Sequence, residues 1–220
     1  MSLTTVIFDM DGLLIDSEPL WSEAANEVFK TYNVSLTEAQ HLSTTGLRTK
    51  EFVHWWFSYY KINESECIHA EQKIIDLVIQ KILQKGKKMP GVNHIFDFFK
   101  NKGFKIGLAT SSPNKIIDVV ADLINIKHYL DAIASAEDLN YGKPHPQVYL
   151  DCALKLQEAP TNCICFEDSF NGMLAAKAAR MKCVVVPHFS QLKEERWGAA
   201  DLKLSSLQNF GELHFNIVNQ

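Results

Sequence analysis

No apolar run in this 220-residue chain approaches the ~20 residues that span a bilayer, so no membrane segment is expected. There is no basic tract either. The formal net charge is -4, and Lys85, Lys87 and Lys88 form only a short cluster that reads as a solvated helix end. That balance argues against nucleic acid as a partner. No C-x-x-C pair occurs among Cys67, Cys152, Cys163, Cys165 and Cys183, and the number of cysteines is odd. Cys163 and Cys165 flank Ile164 in an apolar run and read as small buried hydrophobes. Such cysteine usage fits a reducing cytoplasm. The first residues lack a basic segment followed by an apolar stretch, so no signal peptide is expected. No pair of histidines has H-x-x-x-H spacing, which leaves no histidine zinc site to propose. Internal repeats, low-complexity segments and a coiled-coil seam are all missing, and a monomer is the expectation. What remains is an ordinary globular composition, 46% hydrophobic and 22% charged, enough for one large core or two small domains.

Val6-Ile7-Phe8 is a short run of β-formers and reads as a buried strand. Two carboxylates, Asp9 and Asp11, stand where it stops, and Gly12 then permits a sharp turn. Strand alternation sends both carboxylates to one side of the chain. At ~4 Å and an effective dielectric of ~20 they repel by ~4 kcal/mol, which calls for a cation, a raised pKa, or both. Three plainer readings compete. Asp-Gly is a hairpin signal, but Asp16 to Phe29 looks helical rather than like a returning strand. An EF-hand loop begins Asp-x-Asp, but its glycine is sixth and a helix precedes it; here Gly12 is fourth and a strand precedes it. A surface turn is the third. Taken alone, the pair does not decide among them.

No convincing strand follows until residue 105. Ser17 is a plausible N-cap and Pro19 suits a first helical turn. Helical patterns then run to about Phe29, from Ser35 to Leu42, from Lys50 to Tyr60 and from Glu64 to Lys85. Gly86 to Gly91 is a breaker. Beyond it, helix and strand alternate: Val92 to Lys102 helical, Lys105 to Ala109 a strand, Pro113 to Ile124 helical, Ala132 to Ala134 a strand. Pro146 to Leu156 is helical, Cys163 to Phe166 a strand, Phe170 to Arg180 helical and Cys183 to Val186 a strand. Leu202 to Leu204 reads as a last short strand and Leu207 onward as a terminal helix. This alternation predicts an α/β fold with a Rossmann-like parallel sheet, residues 1–15 and 90–220, and an inserted α-helical cap, residues 16–89. Hinges are expected in the two junctions, Gly12 to Ser17 and Gly86 to Gly91.

In open parallel sheets, sites lie beyond the carboxyl ends of the strands. Polar residues recur at that end here. Asp9 and Asp11 follow the first strand, Thr110, Ser111 and Ser112 the second, and Glu167 and Asp168 the fourth; Gly142-Lys143-Pro144 precedes the helix before that strand. Carboxylates around a hard divalent cation suit Mg²⁺. Lys143 can offset phosphate charge, Thr110 and N–H groups near Pro113 can bond phosphate oxygens, Asp9 can attack phosphorus, and Asp11 can exchange the proton. Together they point to phosphoryl transfer.

Asp9-Met10-Asp11-Gly12-Leu13-Leu14-Ile15-Asp16-Ser17-Glu18 resembles the first motif of the haloacid dehalogenase superfamily, and Thr110, Lys143 and Glu167-Asp168 match its other three in order. Within it, Gly46-Leu47-Arg48, Ala134 to Glu137, Lys143 to Leu150 and Glu167 to Met173 resemble bacterial sugar-phosphate phosphatases of the hexitol phosphatase or 2-deoxyglucose-6-phosphate phosphatase type. The resemblance implies a phosphatase for small phosphorylated sugars. It makes Asp9 the nucleophile and Asp11 the general acid and base. By that likeness Mg²⁺ would be held by the Asp9 carboxylate, the Asp11 backbone carbonyl and Asp168, with Glu167 direct or through water. Thr110 and Ser111 hold the phosphoryl group, Lys143 neutralises it, and Asn114 lies near it. A β-phosphoglucomutase is the runner-up. Such mutases carry a histidine near the position of Trp21, and no histidine occurs in residues 1–40 here, which favours hydrolysis. True dehalogenases lack the second aspartate and the metal. A catalytically idle sugar-phosphate-binding protein is a further alternative, set against a complete catalytic set.

Glu18 and Trp21 adjoin the catalytic loop and are expected to line the substrate pocket. Arg48 is a candidate substrate ligand, balanced against a solvated surface arginine. Trp55, Trp56 and Phe57 have helical spacing and are expected in the core more than in a sugar pocket.

Overall fold

The computed structural model describes residues 3–220. Six strands form one parallel sheet: β1 (Thr5–Phe8), β2 (Lys105–Thr110), β3 (Ala132–Ser135), β4 (Cys163–Glu167), β5 (Lys182–Val185) and β6 (Leu202–Lys203). Their order is β3-β2-β1-β4-β5-β6. β1 is therefore central, with Ile7 opposite Gly107 on one side and Cys165 on the other. A central strand buried on both faces is mostly apolar, as Val6, Ile7 and Phe8 are after Thr5.

Alternation along the strands splits the core in two. Val6, Phe8, Ile164 and Phe166 face α5 (Val92–Asn101), α6 (Asn114–Leu123) and α9 (Glu212–Val218) in a phenylalanine-rich layer. Phe8 stacks on Phe96 and Phe166 at 4.8 and 5.2 Å. Ile7, Cys163 and Cys165 face α7 (Gln147–Lys155) and α8 (Phe170–Ala178) in a layer of smaller side chains, among them Ala109, Ala134, Ala175 and Ala176. All five cysteines are buried and unpaired.

Between β1 and α5 the chain is helical: α1 (Glu18–Lys30), α2 (Glu38–Ser43), α3 (Thr49–Tyr59) and α4 (Cys67–Lys85). α1 packs along α4 through Leu20, Ala24, Val28, Ile74, Val78 and Ile82, the i, i+4 stripe expected of an amphipathic pair. Two local expectations give way. α2 begins after Thr37, not Ser35, because Thr37 and Gln40 form a reciprocal capping box. The Ser17 side chain does not cap α1; its hydroxyl is committed elsewhere, to Asp11. At the other end, Leu207–Asn209 is one 3-10 turn, and the terminal helix starts only at Glu212, after Phe210 is buried and the backbone extends at Gly211.

The two crossings between the helical segment and the sheet run side by side. Ile15 bridges Lys88, Asp16 N donates to the Lys87 carbonyl, and Met89 N donates to the Leu14 carbonyl. Gly91, at the end of the second crossing, has φ +88°, and a Cβ there would lie 2.1 Å from the backbone nitrogen of Gln208. Its glycine is required by close approach to the 207–208 backbone. We expect Gly91→Ala to cost about 2–3 kcal/mol and lower the melting temperature by several degrees. Calorimetry checks this, and an unchanged melting temperature contradicts it.

Candidate active site

The centre of the site is a buried ion triplet. Lys143 is 2% exposed, and its Nζ lies 2.5 Å from Asp9 Oδ1 and 2.6 Å from Glu167 Oε1. It also donates to the Ala109 carbonyl at 3.2 Å. Asp9 and Glu167 reach it from the C-terminal ends of the adjacent strands β1 and β4. The rest of the Glu167 carboxylate is also bound. Oε1 accepts from the Tyr149 hydroxyl at 2.5 Å, and Oε2 accepts from Ser169 N and Oγ at 3.2 and 3.0 Å. Tyr149 is carried by α7, six residues after Lys143, so one segment supplies both donors to Glu167 Oε1.

Asp168 completes an acidic group. Asp9, Glu167 and Asp168 each offer a carboxylate oxygen within 4.8 Å of the others, and all three are buried. Three carboxylates and one ammonium leave excess negative charge in a dry place. Burial raises the Asp168 carboxyl well above its usual range, and the charges of Asp9, Glu167 and Glu18 add to the rise. Burial also raises Asp9, against the pull of Lys143. For Lys143 burial disfavours the ammonium, but the Asp9 and Glu167 charges outweigh it and hold its pKa above the ordinary value. Hard oxygen donors with uncompensated charge are the donor set of a divalent cation such as Mg²⁺, so the residues fit that ion. The backbone at Gly12 makes room for Asp168: φ is +72°, and a Cβ would lie 2.1 Å from Asp168 Oδ2.

Asp11 is held apart from that triplet. Its Oδ1 accepts from Ser17 Oγ at 2.7 Å and Trp21 Nε1 at 2.9 Å, and its Oδ2 accepts from Ser112 Oγ at 2.7 Å. Thr110 Oγ1 accepts from Ser112 N at 3.0 Å, which leaves its own proton for another acceptor. Ser111 Oγ donates to the Gly46 carbonyl at 2.7 Å.

These residues open on one cavity of about 700 Å³, counting its mouth, between the sheet end and the helical segment. Asp9, Asp11, Asp168, Thr110 and Ser111 form one wall; Glu18, Trp21, His41, Phe52 and Ile74 form the facing one. Glu18 is raised to about 7 by burial and by the Asp11 charge. The mixed polar and apolar lining suits a small polar molecule with an apolar side.

The structure thus brings Asp9, Asp11, Glu18, Trp21, Thr110, Ser111 and Asp168 to the cavity, with Lys143 and Glu167 just behind Asp9. Two expected residues it does not bring. Asn114 turns outward, its N and Nδ2 both donating to Glu137 Oε2 at 3.0 and 2.8 Å. Arg48 is neither solvated nor on the cavity wall. It is 4% exposed and bonded to backbone carbonyls of the loop before Lys143. Trp56 and Phe57 are buried, as their spacing predicts, whereas Trp55 is 61% exposed and is not on the wall of this cavity. Sequence reasoning missed Ser17 as a partner of Asp11, Tyr149 as a partner of Glu167, and the wall residues His41, Phe52 and Ile74. For Ser17 the pull of the N-cap pattern hid the alternative; for the others a single sequence carries no signal.

Similarity to known proteins makes this chain a phosphoric monoester hydrolase, and the fold and site agree with it. A family model described as haloacid dehalogenase-like hydrolase matches residues 6–186, and the chain belongs to that family. It is 41% identical over 206 residues to hexitol phosphatase B of Escherichia coli (strain K12), covering 93% of each chain. It is 33% identical over 182 residues to a phosphorylated carbohydrates phosphatase of Thermotoga maritima, covering 80% of this chain and 82% of that one. A β-phosphoglucomutase structure from Clostridium difficile superposes with a TM-score of 0.85 at 24% identity over 97% and 96% of the two chains, a likeness of fold.

Proposed function

We propose that this protein hydrolyses phosphoric monoesters of small sugars or sugar alcohols, with Mg²⁺ as cofactor and an aspartyl-phosphate on Asp9 as intermediate. The observation that carries this reading is the buried Lys143 bridging Asp9 and Glu167, with Asp168 beside them, at the floor of a cavity roofed by residues 16–89. Those residues act as a cap on a core made of residues 1–15 and 90–220. Identity to the two carbohydrate-phosphate phosphatases supports the substrate class.

Asp9 and Asp168 would hold the cation, with the Asp11 backbone carbonyl. Glu167 acts at one remove, since both its oxygens already accept from Lys143, Tyr149 and Ser169. When bound, the ion supplies positive charge against the phosphoryl oxygens. Thr110 and Ser111 line the phosphoryl end. Asp9 attacks phosphorus, the ester P–O bond breaks, and Asp11 gives its proton to the leaving alcohol; Asp11 then takes a proton from the water that cleaves the aspartyl-phosphate. The cage around Asp11 serves both states. The Ser17 and Ser112 hydroxyls can accept as well as donate, so they can turn when Asp11 holds a proton.

The test is phosphate release from hexose 6-phosphates, 2-deoxyglucose 6-phosphate, hexitol phosphates, β-glucose 1-phosphate and phosphoglycolate, with Mg²⁺ and with chelator. Release from several sugar phosphates, lost with chelator and restored by Mg²⁺, is the expected result. Conversion of β-glucose 1-phosphate to glucose 6-phosphate without release overturns it.

A further inference from the structure

The segment Thr45–Glu51 of the helical region grips the sheet end at three separate places, two loops and the first turn of α8. The Gly46 carbonyl accepts from Ser111 Oγ, after β2. The Thr45 carbonyl accepts from Asn171 Nδ2 at 3.0 Å, three residues past Asp168. The densest contact is to residues 136–142, the loop that leads directly into Lys143. Arg48 Nη1 donates to the carbonyls of Ala136, at 3.1 Å, and of Leu139. Its Nη2 donates to the Asn140 carbonyl at 3.3 Å and pairs with Glu51 Oε1 at 2.6 Å. Glu51 Oε1 in turn accepts from Gly142 N at 3.1 Å. Burial works against the Glu51 carboxylate, yet the Arg48 and Gly142 bonds outweigh it and hold its pKa low.

A planar guanidinium meeting three converging carbonyls is a rigid, pre-organised contact. Without it the Leu139 and Asn140 carbonyls would lose this donor and the Ala136 carbonyl would keep only the Leu139 N–H, so Arg48 is what ties the loop together in this shape. The loop also leaves no slack. A Cβ on Gly142 would meet Glu51 Oε2 at 2.4 Å and Arg48 Nε at 2.7 Å. The next residue is Lys143, whose Nζ must stay within hydrogen-bond reach of both Asp9 and Glu167.

We propose that Arg48, with Glu51, is a positioning residue: a latch that sets Lys143 against Asp9 only when residues 45–51 are seated on the 136–142 loop. Turnover is thereby tied to the closed arrangement, and an open site with substrate half-bound does not expose a competent Asp9. The inference rests on the phosphatase reading of Lys143 and Asp9, and it assigns Arg48 no contact with substrate.

The experiment measures kcat, KM and melting temperature on a sugar phosphate that the wild type hydrolyses, for Arg48→Ala, Arg48→Lys, Gly142→Ala and the double variant Arg48→Ala/Gly142→Ala. Hydrogen exchange of residues 136–143 is followed in the same proteins. We expect kcat to fall about tenfold to a hundredfold in Arg48→Ala and in Gly142→Ala, with KM changed far less. Arg48→Lys should recover little, since a single nitrogen cannot span the carbonyls and the Glu51 carboxylate that Nη1 and Nη2 reach separately. The double variant should lose no more than the worse single one, because both break the same latch. Exchange should quicken in 136–143 and not in the central strands. Should Arg48→Ala fail to fold, Gly142→Ala and Arg48→Lys carry the same comparison from the two sides of the contact. A rise in KM alone would make Arg48 a substrate ligand, and full additivity or a kcat within twofold of wild type overturns the latch. A wild type that hydrolyses no sugar phosphate is a failure of the phosphatase reading instead, and is separable because it precedes any variant.

Discussion

Asp9→Asn is expected to leave a folded protein that releases phosphate from the best wild-type substrate at least about a thousandfold more slowly. An amide oxygen is a poor nucleophile, and no other carboxylate can replace this one. Glu167 is saturated by Lys143, Tyr149 and Ser169, and Asp11 is held by Ser17, Trp21 and Ser112. The substitution is nearly isosteric, and its amide oxygen can still accept from Lys143, which keeps Glu167 as its ionic partner. It also removes one negative charge from a group that has too many. The melting temperature without metal should therefore stay at or above that of the wild type. Rapid-quench kinetics with a labelled substrate give a second readout: a phosphoenzyme burst in the wild type and none in the variant. A variant that retains more than about a tenth of wild-type turnover would remove Asp9 from the nucleophile's place.

The parallel sheet could be read from the sequence because each strand announces itself. Central strands buried on both faces carry few polar residues, so Val6-Ile7-Phe8 and Cys163 to Phe166 stand out as runs, and the carboxylates that follow them fall at one rim. The rim then names Asp9, Thr110, Lys143 and Asp168 almost without geometry. What could not be read is orientation on the helical segment. On a helix surrounded by neighbours, apolar spacing says which residues are covered but not by what. Trp56 and Phe57 are covered by other helices while Phe52, on the same helix, faces the cavity. Arg48 shows the same limit in polar form. A lone arginine after a glycine loop gives no hint that its guanidinium will meet three carbonyls about ninety residues away in the chain. Ser17 failed for a different reason: the same hydroxyl fits an N-cap and an acceptor across the turn, and the carboxylate of Asp11 is the stronger partner.

Lys143→Met should damage both stability and activity, and the two losses can be separated. Met matches the length of the lysine stem, so the cavity left behind is small. The loss is the ammonium, which leaves Asp9 and Glu167 buried without their counter-charge at 9% and 0% side-chain exposure. Breaking a buried pair from one side costs about 3–5 kcal/mol, and the melting temperature should fall by roughly 10 °C at neutral pH. The pH dependence has a defined sign. Burial already raises Asp9 above its ordinary range, with Lys143 opposing. Without Lys143 the rise is larger. A carboxyl whose pKa is higher folded than unfolded destabilises the fold at pH values above its unfolded pKa, and the penalty fades as acid protonates it. The gap between variant and wild type should therefore narrow as the pH is lowered from 7 toward 5. On the proposed function, activity should fall by at least about a hundredfold even where the variant is fully folded, because the ammonium that neutralises Asp9 is gone. A variant that is less stable but turns over normally below its melting temperature would make Lys143 a structural counter-ion only, and the chemistry would then need another cation beside Asp9.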